Sequence, residues 1–100
     1  MKMKGTCELC GRTEIDLTVH HLVPKEEGGV HLPTADLCIA CHKQIHALFT
    51  NQELAVNLNT AARLRAEPRM AAFVKWVRKQ PSSTQIQIRK SNRVKFKTTR

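Results

Sequence analysis

No stretch of this chain is apolar for long enough to cross a bilayer, and the opening Met1 to Gly5 carries two lysines with no apolar run behind them. The first absence excludes a membrane-spanning helix. The second leaves no secretory segment in view, so a cytoplasmic location without membrane association is expected. With 100 residues in all, the chain sits near the size at which a hydrophobic core alone is only marginally stabilising. Acidic residues run out as well, since none follows Glu67. Residues 1–50 hold five Lys or Arg against six Asp or Glu, a net −1. Residues 51–100 hold twelve against two, a net +10, and together these give the formal +9. Such asymmetry points to a polyanionic partner, nucleic acid first, although a lysine-rich solvated surface has the same composition. No internal repeat is visible.

What the chain does have is cysteine and histidine in metal-ligand spacing. Cys7-Glu8-Leu9-Cys10 and Cys38-Ile39-Ala40-Cys41 are two Cys-x2-Cys knuckles, and four thiolates complete a closed structural zinc site. Two disulfides are the alternative; the paired spacing and the missing secretory segment favour metal. A small domain of this kind gains folding free energy from the ion. The second knuckle overlaps His42-x3-His46, whose imidazoles face the same way once the chain is helical. Neighbouring helical residues point about 100° apart, so Cys41 and His42 should serve different sites. Two sites back to back on one helix are expected, a structural one and a working one, with His20-His21 offering further imidazoles. Sharing Cys7, Cys10, His42 and His46 in a single finger is the rival, and it would strand Cys38 and Cys41.

Local signals give an α+β chain. A strand is expected over Asp16 to Val23, ending at Pro24, then a glycine loop over 25–29 with both glycines free to take positive φ. Val30 to Leu37 reads as a short strand interrupted by Pro33, and Cys38 to about Phe49 as a helix buried along Cys41, Ile45 and Leu48. Thr50-x-x-Glu53 is a capping box that opens another helix near Asn51, and Asn57 to Thr60 splits this region into two short helices. Pro68 suits the first turn of a last helix, whose stripe is Met70, Phe73, Val74 and Val77, with Trp76 beside it. Three parts follow: a finger over 1–50, a helical scaffold over 51–80, and a mobile basic tail over 81–100, where 86–88 and 94–96 could pair weakly.

Val19-His20-His21-Leu22-Val23-Pro24, then Gly28-Gly29, then Leu37-Cys38-x2-Cys41-His42-x3-His46, resembles the HNH endonuclease family over the first half of the chain. The resemblance implies a ββα-metal, treble-clef-like finger with a structural zinc on Cys7, Cys10, Cys38 and Cys41. It implies a catalytic divalent ion (Mg2+, Mn2+, Ni2+ or Zn2+) on His20, His42 and His46, with His21 as general base. The implied reaction is hydrolysis of DNA phosphodiester bonds, most naturally in duplex DNA, leaving 5′-phosphate and 3′-hydroxyl ends. Where that family carries a loop-holding asparagine this chain has Pro33, with Thr34 and His31 as the nearby substitutes. Lys25, Lys43, Arg89, Lys90, Arg93, Lys95 and Lys97 are the candidate phosphate contacts, and a two-fold dimer would suit a double-strand cut. A non-catalytic zinc module that binds nucleic acid or protein is the alternative; a base beside a metal ligand separates the two.

Overall fold

A computed structural model describes residues 3–81. Of the expected basic tail only Pro81 is described; its possible 86–88 and 94–96 pairing, and Arg89, Lys90, Arg93, Lys95 and Lys97, lie outside the described residues.

Three strands, β1 (Met3–Gly5), β2 (Ile15–His21) and β3 (Thr34–Cys38), form an antiparallel sheet in the order β1-β2-β3. β2 pairs with β3 without a bulge, setting Thr18 opposite Leu37, His20 opposite Ala35 and His21 opposite Thr34. Directly opposed residues share a face, so Thr18, His20, Ala35 and Leu37 line one side of the hairpin. The strands differ from expectation at three places. β2 stops at His21 rather than Val23. β3 starts only at Thr34, because 30–32 turn and Pro33 accepts a hydrogen bond from Leu22 N (3.4 Å) just beyond the last strand pair. β1 was not expected: Met-Lys-Gly is short and poor in strand formers, and it is held by pairing with Ile15 to Leu17.

The loop between the strands contains a 3-10 turn, Lys25–Glu27, ended by Gly28 at φ +88°. Gly29 has a different reason to be glycine than the positive φ expected of it: a Cβ there would collide with the Val23 carbonyl.

Four helices follow: α1 (Ile39–Leu48), α2 (Asn51–Asn57), α3 (Ala61–Ala66) and α4 (Pro68–Val77). Their starts are chemical. Thr50 Oγ1 accepts from Glu53 N (3.2 Å) while the Glu53 carboxylate accepts from Thr50 N (2.9 Å), a complete capping box. Thr60 caps α3 through Arg63 N (3.0 Å), and Glu67 caps α4 through Arg69 N (2.6 Å) and Met70 N (3.1 Å), with Pro68 in the first turn.

One hydrophobic core runs from Cys7 to Val77, so the helices after residue 50 share it with the sheet and α1. Leu37, Ile45, Leu54, Leu64, Met70 and Val77 are completely buried. Phe73 and Val74 pack against the same core, whereas Trp76, 49% exposed, stands at its edge beside Phe73. The Arg69 guanidinium lies 4.9 Å from the Phe49 ring centroid. Among the described residues no helix is long and apolar enough to cross a membrane.

Candidate metal centres

α1 begins at a cysteine and ends near a histidine, and a different cluster forms at each part of it. Cys38 closes β3, caps α1, and accepts from Cys41 N through its sulfur (3.4 Å). The first knuckle repeats this, with Cys10 N donating to Cys7 Sγ (3.5 Å). All four cysteines are buried and free of disulfides, and their sulfurs lie within 4.8 Å of one another. Cys10 and Cys38 are 3.8 Å apart, sulfur to sulfur. Thiolates held about 2.3 Å from a tetrahedral zinc stand about 3.8 Å from each other, so the spacing fits that ion.

Electrostatics point the same way. Hydrogen bonds from Cys38, Cys41 and Cys7, helped by Arg12, hold the Cys10 thiol far below its ordinary range. Cys41, bonded to Cys10, Cys38 and Cys7 and desolvated, is pushed far above it. Four sulfurs this close do not all ionise without a cation among them. Arg12 supplies part of that positive charge. Only 7% exposed, it donates from Nε to Cys10 (3.4 Å) and from Nη2 to Cys38 (3.2 Å), while Nη1 reaches the carbonyls of Gln80 (3.5 Å) and Pro81 (3.3 Å). Burial works against its charge, but the bonds to Cys10 and Cys38 prevail and its pKa is raised.

The second cluster faces the other way. His20 from β2 meets His42 and His46 from α1, with ring centroids 5.1, 5.4 and 5.1 Å apart, and their candidate ligand atoms fall within 4.8 Å. His20 is 1% exposed, and neither of its ring nitrogens has a hydrogen-bond partner. An orphaned buried polar atom costs about 1–3 kcal/mol, so a missing electrophile is the natural explanation of this pair. Burial, then the charges of His42, His46 and His21, lowers the His20 pKa to about 3. Burial, then His46 and His21, lowers His42 to about 4, and desolvation by the neighbouring side chains lowers His46 although part of its surface meets solvent. All three are therefore neutral at physiological pH, with lone pairs free for an ion. His46 is exposed, which opens the cluster to solvent on that side. Three ligands and an open side are what a working metal site needs.

The protein YisB of Bacillus subtilis (strain 168), itself uncharacterized, is 64% identical to this chain over 96 residues, covering 96% of both. The chain belongs to the YisB family. No protein-family model and no solved structure matches it.

The remaining candidates of this YisB-family chain are spread out. His21, half-buried, is the last residue of β2 and stands outside the converging trio, yet its charge is felt at both His20 and His42. Strand alternation starts its side chain on the face opposite His20, and β2 ends at His21. Lys43 is exposed on α1 next to His42, and Lys25 is exposed on the 3-10 turn. Thr34 and His31 are exposed and make no side-chain hydrogen bond among the described residues. The loop is held instead by Asn51 Nδ2 donating to Glu26 Oε1 (3.0 Å) and by Gly29 N donating to Pro24 O (3.1 Å). Sequence reasoning missed Arg12, Thr18 and this Asn51 strap. Arg12 follows its knuckle by two residues, a faint signal; Thr18 and Asn51 have none.

Proposed function

We propose that this chain is a metal-dependent endonuclease of the HNH type, with β2, β3 and α1 as its ββα-metal finger. The observation that carries the reading is the buried, unpartnered His20 converging with His42 and His46 beside a fourth histidine. His20, His42 and His46 would hold a divalent ion (Mg2+, Mn2+, Ni2+ or Zn2+), and Cys7, Cys10, Cys38 and Cys41 a structural zinc. Such an ion, when bound, stabilises charge on the phosphoryl oxygens and on the departing oxygen of a phosphodiester. His21 accepts the proton of the attacking water, a role suited to an imidazole near neutral pH. The products are 5′-phosphate and 3′-hydroxyl ends. The substrate is DNA, drawn by the basic second half of the chain.

Plasmid nicking with a panel of divalent ions tests this. The chelator control is run at a dose that leaves the helical circular dichroism unchanged, so that the structural zinc stays in place. Nicking restored by a particular ion supports the proposal. No nicking with any ion assigns the fold to a zinc module that binds nucleic acid or protein without turnover.

A further inference from the structure

Thr18 lies beneath His42 on the α1-facing side of the β2–β3 hairpin. Its hydroxyl donates to the Leu37 carbonyl (2.9 Å) and lies 2.7 Å from His42 Nδ1. A hydroxyl has one proton to give. With that proton on the Leu37 oxygen, only a lone pair of Oγ1 is left to face the imidazole. At 2.7 Å two lone pairs would repel, so the proton between Thr18 and His42 has to come from the ring. The reverse arrangement, with Thr18 donating to Nδ1, would set the Thr18 and Leu37 oxygens lone pair to lone pair at 2.9 Å.

We infer that Thr18 is a positioning residue of the histidine site: it locks His42 in the Nδ1–H tautomer, so that Nε2 carries the lone pair offered to an ion. The inference rests on reading His20, His42 and His46 as one metal site, and it names which nitrogen of His42 that site uses. The backbone makes the device rigid. Thr18 pairs in register with Leu37, whose carbonyl anchors the hydroxyl, and the β-branched side chain has few rotamers in a strand. The lock has a chemical consequence as well, because an Nδ1–H bonded to oxygen raises the basicity of the opposite nitrogen. His20 contrasts with it, since neither of its nitrogens is partnered. The tautomer of His42 is set by the protein, and that of His20 is left to the ligand.

The test uses the full chain already holding one equivalent of zinc. Thr18→Val keeps the shape and loses the hydroxyl; Thr18→Ser keeps the hydroxyl and loses a methyl. Calorimetric titration with further Zn2+ is expected to show about 10–100-fold weaker binding of the second ion to Thr18→Val. Thr18→Ser should bind within a few fold of wild type. Nitrogen-15 correlation spectra of wild type before the second ion is added should show His42 protonated at Nδ1, and Thr18→Val should show that preference abolished. A Thr18 that merely braced the hairpin would lower the melting temperature without moving the tautomer. Unchanged affinity in Thr18→Val, or an Nε2–H His42 in wild type, overturns the inference. If wild type takes up no second ion, the metal reading fails, and the tautomer spectrum still decides whether Thr18 holds His42.

Discussion

The two clusters share the ten residues of α1, yet one is sealed and the other open. Cys7, Cys10, Cys38 and Cys41 are all buried, Cys7 and Cys38 accept knuckle N–H groups, and Arg12 is laid across the sulfurs of Cys10 and Cys38. His20, His42 and His46 run from fully buried to exposed, and the deepest of them is left without a partner. A site that saturates its own ligands holds a fold together, and a site that leaves positions free has something to exchange. The neighbouring Cys41 and His42 belong to opposite types because a helix turns them to different sides.

The sharpest way to break this comparison is to damage the sealed side. Cys38→Ser removes a thiolate from the cluster and a sulfur partner of Arg12, while its hydroxyl can still cap α1. It should lose tightly bound zinc and unfold the finger, since structural zinc contributes on the order of 10 kcal/mol in small zinc domains. Metal analysis and thermal melting check this; a variant that keeps its zinc and its melting temperature refutes the structural assignment.

On the open side the fold should survive and chemistry should go. His21→Ala is expected to bind metal and DNA nearly as wild type while turnover falls by about 10²–10⁴, the usual worth of a general base. His20→Ala should lose the second ion, with activity partly regained at high metal concentration. Calorimetry beside single-turnover cleavage distinguishes them, and loss of the ion from His21→Ala alone would reverse the two roles.

Much of this contrast was legible in the chain. Cys-x2-Cys twice and His-x3-His carry their geometry in their spacing, because turns and helices fix which side chains converge. Thr50 with Glu53, and Pro68, announce helix starts through bonds made within three or four residues. What could not be read depends on contacts between distant segments. Met3 to Gly5 becomes a strand only because Ile15 to Leu17 are there to pair with. Thr18 is one more β-branched strand residue until α1 sets His42 over it. Arg12 looks like surface charge until two sulfurs surround it. Where Thr34 and His31 seemed placed to hold the histidine loop, Asn51 reaches it from α2, 25 residues beyond Glu26.

A smaller effect should appear in acid. In the unfolded chain the imidazoles take up protons as pH falls through about 6.5. In the fold His20 waits until about 3 and His42 until about 4. Between those limits the unfolded state binds more protons, so the protein without its second ion should lose stability steadily as pH drops below about 6.5. His20→Leu removes one such group and should gain on wild type over that window. Parallel melting curves from about pH 7 to about pH 4 that keep a constant separation would count against the burial of His20.

The smallest change expected concerns the basic end. Removing residues 82–100 deletes six basic residues and no acidic one, and spares Pro81, the partner of Arg12. For every phosphate that the shortened chain no longer neutralises, the slope of log affinity against log salt should become shallower by about 0.9. Both metal sites should stay intact. An unchanged slope would mean that those charges serve solubility.

The reach of Arg12 has a kinetic consequence. Its bonds to the Gln80 and Pro81 carbonyls span 68 and 69 residues, whereas the β2–β3 hairpin and the helices close over short separations. Contacts between distant residues bear the larger loop-closure cost and tend to form after local ones. Arg12 is therefore expected to behave as a latch, engaging after the sheet, the helices and the sulfurs are in place and letting go among the first. Stabilisation added after the transition state slows unfolding and leaves the folding rate nearly untouched. Stopped-flow measurements on Arg12→Gln should show faster unfolding and faster zinc release, with refolding close to wild type; slowed refolding would place Arg12 in the folding nucleus. That result would tie the lifetime of zinc on the four cysteines to residues 80 and 81, almost the whole described chain away from the knuckle that carries Arg12.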